Sequence, residues 1–291
     1  MPYEPSQAEL RRRRFRPIPV RMLVPNVITL LAICAGLTAI RLSTEDRMGL
    51  AVGLIVFAAV LDGIDGRVAR LIKGQSKFGA ELDSLADFVN FGVAPGLILY
   101  FWQLHELRNG GWIAAMVFAI SGSLRLARFN ATMDDPNKPP FAANYFTGVP
   151  APAGAITVLL PIYLGFLDVS KPPAMLTAAY TLLIAFLMVS RLPVFSGKTV
   201  RMRVPPEFVL PVFVAVIFFI ALLIAYPWYI LSAGSLLYIL SLPLGFKSYR
   251  DHARAAALAT SNAGAAAASA PPSSLPPAKP AEPEERPERL H

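Results

Sequence analysis

Histidine and cysteine are scarce in this sequence. The single cysteine is Cys34, and the three histidines are His105, His252 and His291. A lone cysteine cannot form an intrachain disulfide, and so few thiols and imidazoles cannot build a zinc site of the usual kind. All three histidines fall in predicted connections or in the C-terminal tail, which argues against a histidine-based catalytic triad.

Charged residues are also scarce. They make up 16% of the 291 residues, whereas 55% are hydrophobic; soluble domains carry about 25% charged residues. A chain this apolar cannot hide its surface in one soluble core, so a lipid bilayer is its expected solvent. The net charge of +8 comes without a nucleic-acid-binding motif. We therefore expect no nucleic-acid partner, and we assign the basic residues to membrane orientation and anionic headgroups.

Eight apolar segments alternate with polar connections along the chain. Most of them approach the ~20 residues that a helix needs to cross a bilayer, and a helix satisfies its own backbone hydrogen bonds in lipid. The sequence therefore predicts an all-α fold, a polytopic transmembrane bundle of about eight spans. The predicted spans are 24–43, 48–72, 78–104, 110–131, 150–168, 173–192, 207–226 and 228–246.

Basic clusters occur in every second connection, which predicts that these connections and both termini are cytoplasmic. The composition divides the chain into three parts. Residues 1–22 are predicted to form a basic interfacial segment, and residues 23–250 a transmembrane catalytic domain. Residues 251–291 are rich in Ala, Pro and Ser, which predicts a disordered cytoplasmic tail.

Four aspartates lie at the junction of the second and third predicted spans. Asp62 and Asp65 are three residues apart, so they share one face of a helix. Gly79, Asp83 and Asp87 step by four and form one stripe. A charged side chain at the bilayer centre costs at least ~2.5 kcal/mol on insertion scales. Two such helices side by side would bring four carboxylates together, and this charge requires positive compensation.

Carboxylate clusters without nitrogen or sulfur ligands bind hard divalent cations. Two ions ~4 Å apart suit an in-line displacement at phosphorus. Gly66 and Gly79 would leave room beside the carboxylates for a phosphate or nucleotide. Arg70 and Lys77 would place positive charge at the cytoplasmic mouth, where phosphate oxygens need partners.

Other interpretations of the aspartates are open at this point. They could form structural salt bridges with Arg67 and Arg70. They could line a divalent-cation transporter, which would move metal ions without lipid turnover. The chain could also be a non-catalytic membrane scaffold, in which Asp87→Asn would affect only stability.

The full pattern D-x2-D-G-x2-A-R-x8-G-x3-D-x3-D resembles the signature of the CDP-alcohol phosphotransferase family. The fixed positions are Asp62, Asp65, Gly66, Ala69, Arg70, Gly79, Asp83 and Asp87. Members of this family are helical membrane proteins with a six-helix core and are generally homodimers. The resemblance therefore implies an enzyme rather than a transporter.

The resemblance also implies roles for individual residues. Asp62, Asp65, Asp83 and Asp87 would hold two divalent ions, Mg²⁺ or Mn²⁺, which bind the pyrophosphate of a CDP-lipid. Asp87 would be the general base that takes the proton of the acceptor hydroxyl. The positions that match CDP-lipid-binding residues of the family are Asn26, Thr29, Gly66, Arg70, Ser76 and Gly79.

Four further stretches, at 82–95, 123–130, 148–155 and 190–198, resemble the membrane-embedded phosphatidylserine synthases of the family. Phosphatidylglycerophosphate synthases more typically have D-P-x-A-D-K at the second aspartate pair, which this chain lacks. The resemblance implies CDP-diacylglycerol and L-serine as substrates, and a bacterial inner membrane as location. Glycerol phosphate, inositol phosphate and choline are the alternative acceptors.

Arg125 and Arg128 have two open interpretations. One of them could bind the carboxylate of serine or a substrate phosphate, or both could be orientation charges whose side chains extend to the membrane interface.

Overall fold

The computed structural model describes residues 20–72, 76–132, 145–167, 171–190, 193–195, 205–243 and 245. The predicted tail at 251–291 and nearly all of the predicted interfacial segment at 1–22 lie outside these ranges. Both assignments, and the domain boundaries that depend on them, stay predictions.

The described part of the chain is almost entirely helical, and helices occupy all eight predicted spans. The α-helices are α1 (Val20–Thr44), α2 (Met48–Leu71), α3 (Lys77–Asp87), α4 (Ala94–Trp102), α5 (Asn109–Ala131), α6 (Ala151–Val158), α7 (Leu160–Phe166), α8 (Ala174–Val189), α9 (Pro206–Ala225) and α10 (227–243). A π-helix (Phe88–Val93) joins α3 to α4, and a 3-10 helix (Leu104–Leu107) precedes α5.

Among the described residues, five helical segments are long and apolar enough to cross a membrane. They are Leu23–Thr44, Met48–Leu71, Lys77–Trp102, Asn109–Ala131 and Glu207–Ala225. Two apolar helical segments, Ala151–Phe166 and Ala174–Val189, are shorter. The predicted polytopic helical fold is therefore confirmed, whereas the number of eight crossings stays a prediction.

Small side chains pack the first two helices together. Ala32, Ala35 and Ala39 of α1 are buried, as are Ala51 and Ala58 of α2. Membrane helices gain little from hydrophobic burial against each other in lipid, so close backbone approach through small residues is what favours their association. The pair α1–α2 forms the wall from which Asp62 and Asp65 project.

The third predicted span is a continuous helical segment with a change of winding in its middle. The π-helix begins directly after Asp87, and its residues Asn90, Phe91 and Gly92 are buried. π-turns are rare in proteins, but those that occur often lie at functional sites. They shift the helix face that follows them. The periodicity of the sequence did not predict this turn.

The fifth predicted span is interrupted at Leu159, between α6 and α7. Pro161 follows in the first turn of α7 and lacks the N–H that a continuous helix would use. Pro150 and Pro152 flank Ala151, the first residue of α6, and therefore lie at the entry of that helix.

A small sheet, absent from the all-α prediction, joins two connections. Strand β1 (Tyr145–Thr147) pairs antiparallel with β2 (Pro193–Phe195), with Phe146 opposite Val194. Gly148 follows β1 at φ 78°, in the left-handed region that favours glycine. A Cβ on Gly148 would also lie 2.5 Å from the Met188 carbonyl oxygen. The sheet thus brings the start of α6 against the end of α8.

Two adjacent glycines in the first turn of α5 provide a matched test of how this helix packs against the preceding 3-10 helix. A Cβ on Gly111 would overlap the backbone carbonyl of Leu104, whereas a Cβ on Gly110 would meet open space. We expect Gly111→Ala to lower the free energy of unfolding by about 1–3 kcal/mol, because the backbone must shift to accommodate the methyl group. The midpoint of thermal unfolding in detergent would report this loss, and Gly110→Ala is the control. Equal midpoints for the two variants would contradict the observed packing.

Candidate active site

Three of the four predicted aspartates converge in the structure. Asp62 lies on α2, and Asp83 and Asp87 lie on α3. Each offers a carboxylate oxygen, and these oxygens all lie within 4.8 Å of one another. The three side chains are half-buried. We call Asp62, Asp83 and Asp87 the carboxylate cluster; their donor atoms are all oxygens, which suits a hard divalent cation.

Asp65 lies beside this cluster and has a partner of its own. Its side chain is buried, with 3% exposed, and its Oδ2 accepts a hydrogen bond of 2.7 Å from Thr29 Oγ1 on α1. Thr29 is buried as well. The hydroxyl therefore gives the fourth carboxylate a hydrogen-bond donor inside the protein.

Helix α1 also contacts the other aspartate-bearing helix. A Cβ built on Gly79 of α3 would lie 2.9 Å from Asn26 Oδ1 and 3.1 Å from Ser76 Oγ. Asn26 of α1 thus packs against α3, whereas Thr29 of the same helix binds Asp65 on α2. The predicted Asn-x-x-Thr pair is therefore placed between the two aspartate helices.

The two glycines of the motif have different surroundings. A Cβ on Gly66 would meet nothing within 4 Å, so the predicted open space exists on that side of α2. The space beside Gly79 is instead filled by Asn26 and Ser76. The missing side chain of Gly79 allows that contact, which is a different physical reason from the one the sequence predicted.

The remaining predicted CDP-lipid residues lie at the helix ends next to the cluster. Ser76 is the N-cap of α3, where its Oγ accepts a hydrogen bond of 2.9 Å from the Gly79 amide. Such a cap satisfies an amide that the helix cannot. Arg70 lies in the last turn of α2 and is exposed.

Salt bridges do not account for the aspartates in the part of the chain that the structure describes. The two ion pairs there join Arg41 to Glu45 and Lys171 to Glu106. Arg67, which the alternative interpretation paired with the aspartates, is exposed. The Oδ1 atom of Asp87 is buried and, among the described residues, has no hydrogen-bond partner.

Arg125 of α5 is the predicted acceptor residue whose charge acts on the cluster. Its side chain is only 9% exposed, and its charge acts on both Asp62 and Asp87. It forms no ion pair within 4.0 Å in the described chain, and its Cζ lies 5.5 Å from the centre of the Phe129 ring. A buried guanidinium near the carboxylates supplies part of the positive compensation that four aspartates require.

Arg128 has a different environment. Its Nη1 donates a hydrogen bond of 2.6 Å to the carbonyl of Val189, the last residue of α8. A cation at the C-terminus of a helix satisfies free carbonyls and interacts favourably with the helix dipole. The two arginines that the sequence grouped together are therefore separate, and the contact of Arg128 is structural.

Two features near the site were missed in the sequence. Asn90 in the π-helix is buried, and its Oδ1 has no partner within the described ranges. Three hydroxyls on α10 share that property: Ser232, Ser235 and Tyr238. The sequence did contain a signal for the three hydroxyls of α10, because polar residues at intervals of three in an apolar span mark a functional face.

Comparison with known families accounts for this geometry. A family model described as CDP-alcohol phosphatidyltransferase matches residues 22–190, more than half of the chain. The protein belongs to the CDP-alcohol phosphatidyltransferase family. A second model, CDP-alcohol phosphatidyltransferase 2, matches residues 207–243. This confirms the family that the motif predicted and makes the chain a membrane enzyme of that class.

Three relatives of this chain, each from a different bacterium, share the same name. The chain is 39% identical to the CDP-diacylglycerol–serine O-phosphatidyltransferase of Mycobacterium leprae over 231 residues, which are 78% of this chain and 76% of that protein. It is 36% identical to the Helicobacter pylori protein of the same name over 228 residues, 77% of this chain and 91% of that one. The Bacillus subtilis protein of that name is 38% identical over 138 residues, 47% of this chain and 74% of its own.

The hydrogen bond between Thr29 and Asp65 can be tested independently of catalysis. Thr29→Val keeps the shape of the side chain but removes the hydroxyl donor from a buried carboxylate, so we expect a loss of about 1–3 kcal/mol in the free energy of unfolding. Thr29→Ser retains the hydroxyl and is the control. The measurement is thermal unfolding in detergent with EDTA present, and a Thr29→Val variant as stable as the parent would show that the bond is unimportant.

Proposed function

We propose that this protein transfers the phosphatidyl group of CDP-diacylglycerol to the hydroxyl of L-serine, giving phosphatidylserine and CMP. The observation that carries the proposal is the carboxylate cluster in a chain of the CDP-alcohol phosphatidyltransferase family. The name of the relatives, which match this chain over most of its length, supports serine as the acceptor.

The site fits a pair of divalent ions, for which we propose Mg²⁺ or Mn²⁺. Asp62, Asp83 and Asp87 would hold them, with Asp65 as the fourth ligand. Three features support this: all donors are oxygens, the carboxylates crowd together without a salt bridge in the described chain, and Asp87 Oδ1 has no protein partner there. Such ions, when bound, neutralise pyrophosphate charge and polarise the phosphoryl oxygens.

Asp87 is the proposed general base. One carboxylate oxygen of Asp87 takes the proton of the serine hydroxyl, and the serine oxygen forms a bond to the lipid-side phosphorus. The bond between that phosphorus and the bridging oxygen of the pyrophosphate breaks. CMP leaves with the electron pair of that bond, in line with the attacking oxygen.

The CDP-lipid would bind where α1, α2 and α3 meet. Open space at Gly66 allows a phosphate to approach the α2 backbone, and the exposed Arg70 offers a cation at the end of the same helix. The proposed contact residues are Asn26, Thr29, Gly66, Arg70, Ser76 and Gly79.

The proposed membrane arrangement places both termini and the cluster on the cytoplasmic side of a bacterial inner membrane. The alternation of basic clusters supports the orientation, and the bacterial relatives support the location. A homodimer is proposed on the family resemblance. The three-part division at residues 22 and 250 is proposed from composition.

A lipid-synthesis assay tests the reaction. Purified full-length protein in detergent receives CDP-diacylglycerol, radiolabelled L-serine and Mn²⁺, with or without EDTA. We expect labelled lipid that requires metal and falls at least ~100-fold in Asp87→Asn, because general-base catalysis typically contributes 10²–10⁴-fold. Glu106→Gln is the control, since Glu106 is an exposed carboxylate whose partner, at 3.4 Å, is Lys171.

The outcomes separate the alternatives. CMP release with glycerol phosphate, inositol phosphate or choline, but no label from serine, would keep the reaction and contradict the acceptor. Metal flux into vesicles without any CMP release would contradict the enzyme and favour a cation transporter. Full activity of Asp87→Asn would contradict the assigned base.

A further inference from the structure

Helix α10 carries a polar face inside an apolar sequence. Ser232, Ser235 and Tyr238 follow one another at intervals of three, which places them along one side of the helix. Ser235 is 2% exposed and Ser232 is also buried. The hydroxyl oxygens of all three residues are buried, and in the described part of the chain none has a hydrogen-bond partner.

Three unpartnered hydroxyls on one helix are unusual. More than nine in ten buried backbone polar groups in proteins are hydrogen-bonded, as are most buried side-chain polar atoms, and each exception calls for an explanation. A serine in a membrane helix can bond the carbonyl one turn before it, yet these two do not. A polar ligand bound against this face would supply the missing partners.

The face adjoins the reaction site through Arg125. Tyr238 packs against the buried cluster that includes Phe118 and Leu126 of α5, the helix that carries Arg125, and the charge of Arg125 acts on Tyr238 as well as on Asp62 and Asp87. Arg125 therefore links the carboxylate cluster to α10. We therefore expect a small molecule that contacts Arg125 and Tyr238 together to lie near Asp87.

We propose that Tyr238 and Arg125 together bind the carboxylate of the amino-acid acceptor. The guanidinium can form two parallel hydrogen bonds with a carboxylate, and the Tyr238 hydroxyl donates one more. In serine, only two carbon atoms separate the carboxylate group from the hydroxyl oxygen. Binding of the carboxylate by Arg125 and Tyr238 therefore directs the hydroxyl towards Asp87. The inference rests on the proposed function and adds a specificity residue to it.

The contact also explains discrimination between acceptors. A site built to donate hydrogen bonds to a carboxylate rejects a neutral analogue strongly, because its buried donors are then left unpaired. Serinamide differs from serine only by replacing the carboxylate with an amide. We expect the parent protein to use serine far better than serinamide.

Tyr238→Phe is the test, with Tyr229→Phe on the same helix as the control because Tyr229 is 62% exposed. We expect Tyr238→Phe to raise KM for L-serine about tenfold or more, since it removes a hydrogen bond to a charged group. KM for CDP-diacylglycerol should not change. The preference for serine over serinamide should fall by a similar factor.

The stability of the variant separates a binding role from a structural one. The Tyr238 hydroxyl has no protein partner in the described chain, so Tyr238→Phe should unfold at the same temperature as the parent or at a higher one. A lower unfolding temperature would indicate a structural hydrogen bond and overturn the inference. An unchanged KM for serine and an unchanged preference over serinamide would overturn it too, while leaving the proposed function intact. A parent protein that makes no lipid from serine would instead overturn the proposed function.

Discussion

Three carboxylates within 4.8 Å of one another repel each other, and this repulsion is the constraint on which the arrangement of the helices depends. Coulomb energies grow as the dielectric constant falls, so the cost is larger at membrane depth than in water. Neighbouring helices supply interactions next to these aspartates from outside the cluster. Thr29 of α1 binds Asp65, and Arg125 of α5 brings positive charge to Asp62 and Asp87. What is left uncompensated is an attractive site for divalent cations.

Close packing is what allows α1 to act on both aspartate helices. Buried alanines bring its backbone against α2, and the absence of a side chain at Gly79 admits Asn26 to α3. A rigid α1 therefore fixes the distance between the carboxylates of α2 and those of α3. Catalytic groups have to be held close to their productive geometry, and helices hold them more accurately than loops.

The sequence predicted the parts of the site that depend on helical periodicity. A spacing of three places Asp62 and Asp65 on one side of their helix, whatever the details of packing. A spacing of four does the same for Asp83 and Asp87. It could not predict features that depend on tertiary neighbours. Arg125 and Arg128 look alike in sequence, yet one faces the aspartates and the other binds the end of α8. The π-turn at Asn90 leaves no signal in the periodicity of the sequence. The polar face of α10 can be interpreted only once the charge of Arg125 is known to act on Tyr238.

The division of the chain between two family models parallels a division of tasks. The first, at residues 22–190, contains the four site aspartates, the Asn26 and Thr29 contacts and Arg125. The second, at residues 207–243, contains α9 and α10. Displacement at phosphorus needs the same carboxylates for any alcohol, so the first region determines the reaction. Discrimination between alcohols needs groups that meet the acceptor, for which we propose Arg125 of the first region and Tyr238 of the second. On this proposal, changes on α10 alter acceptor preference without disturbing the carboxylate cluster.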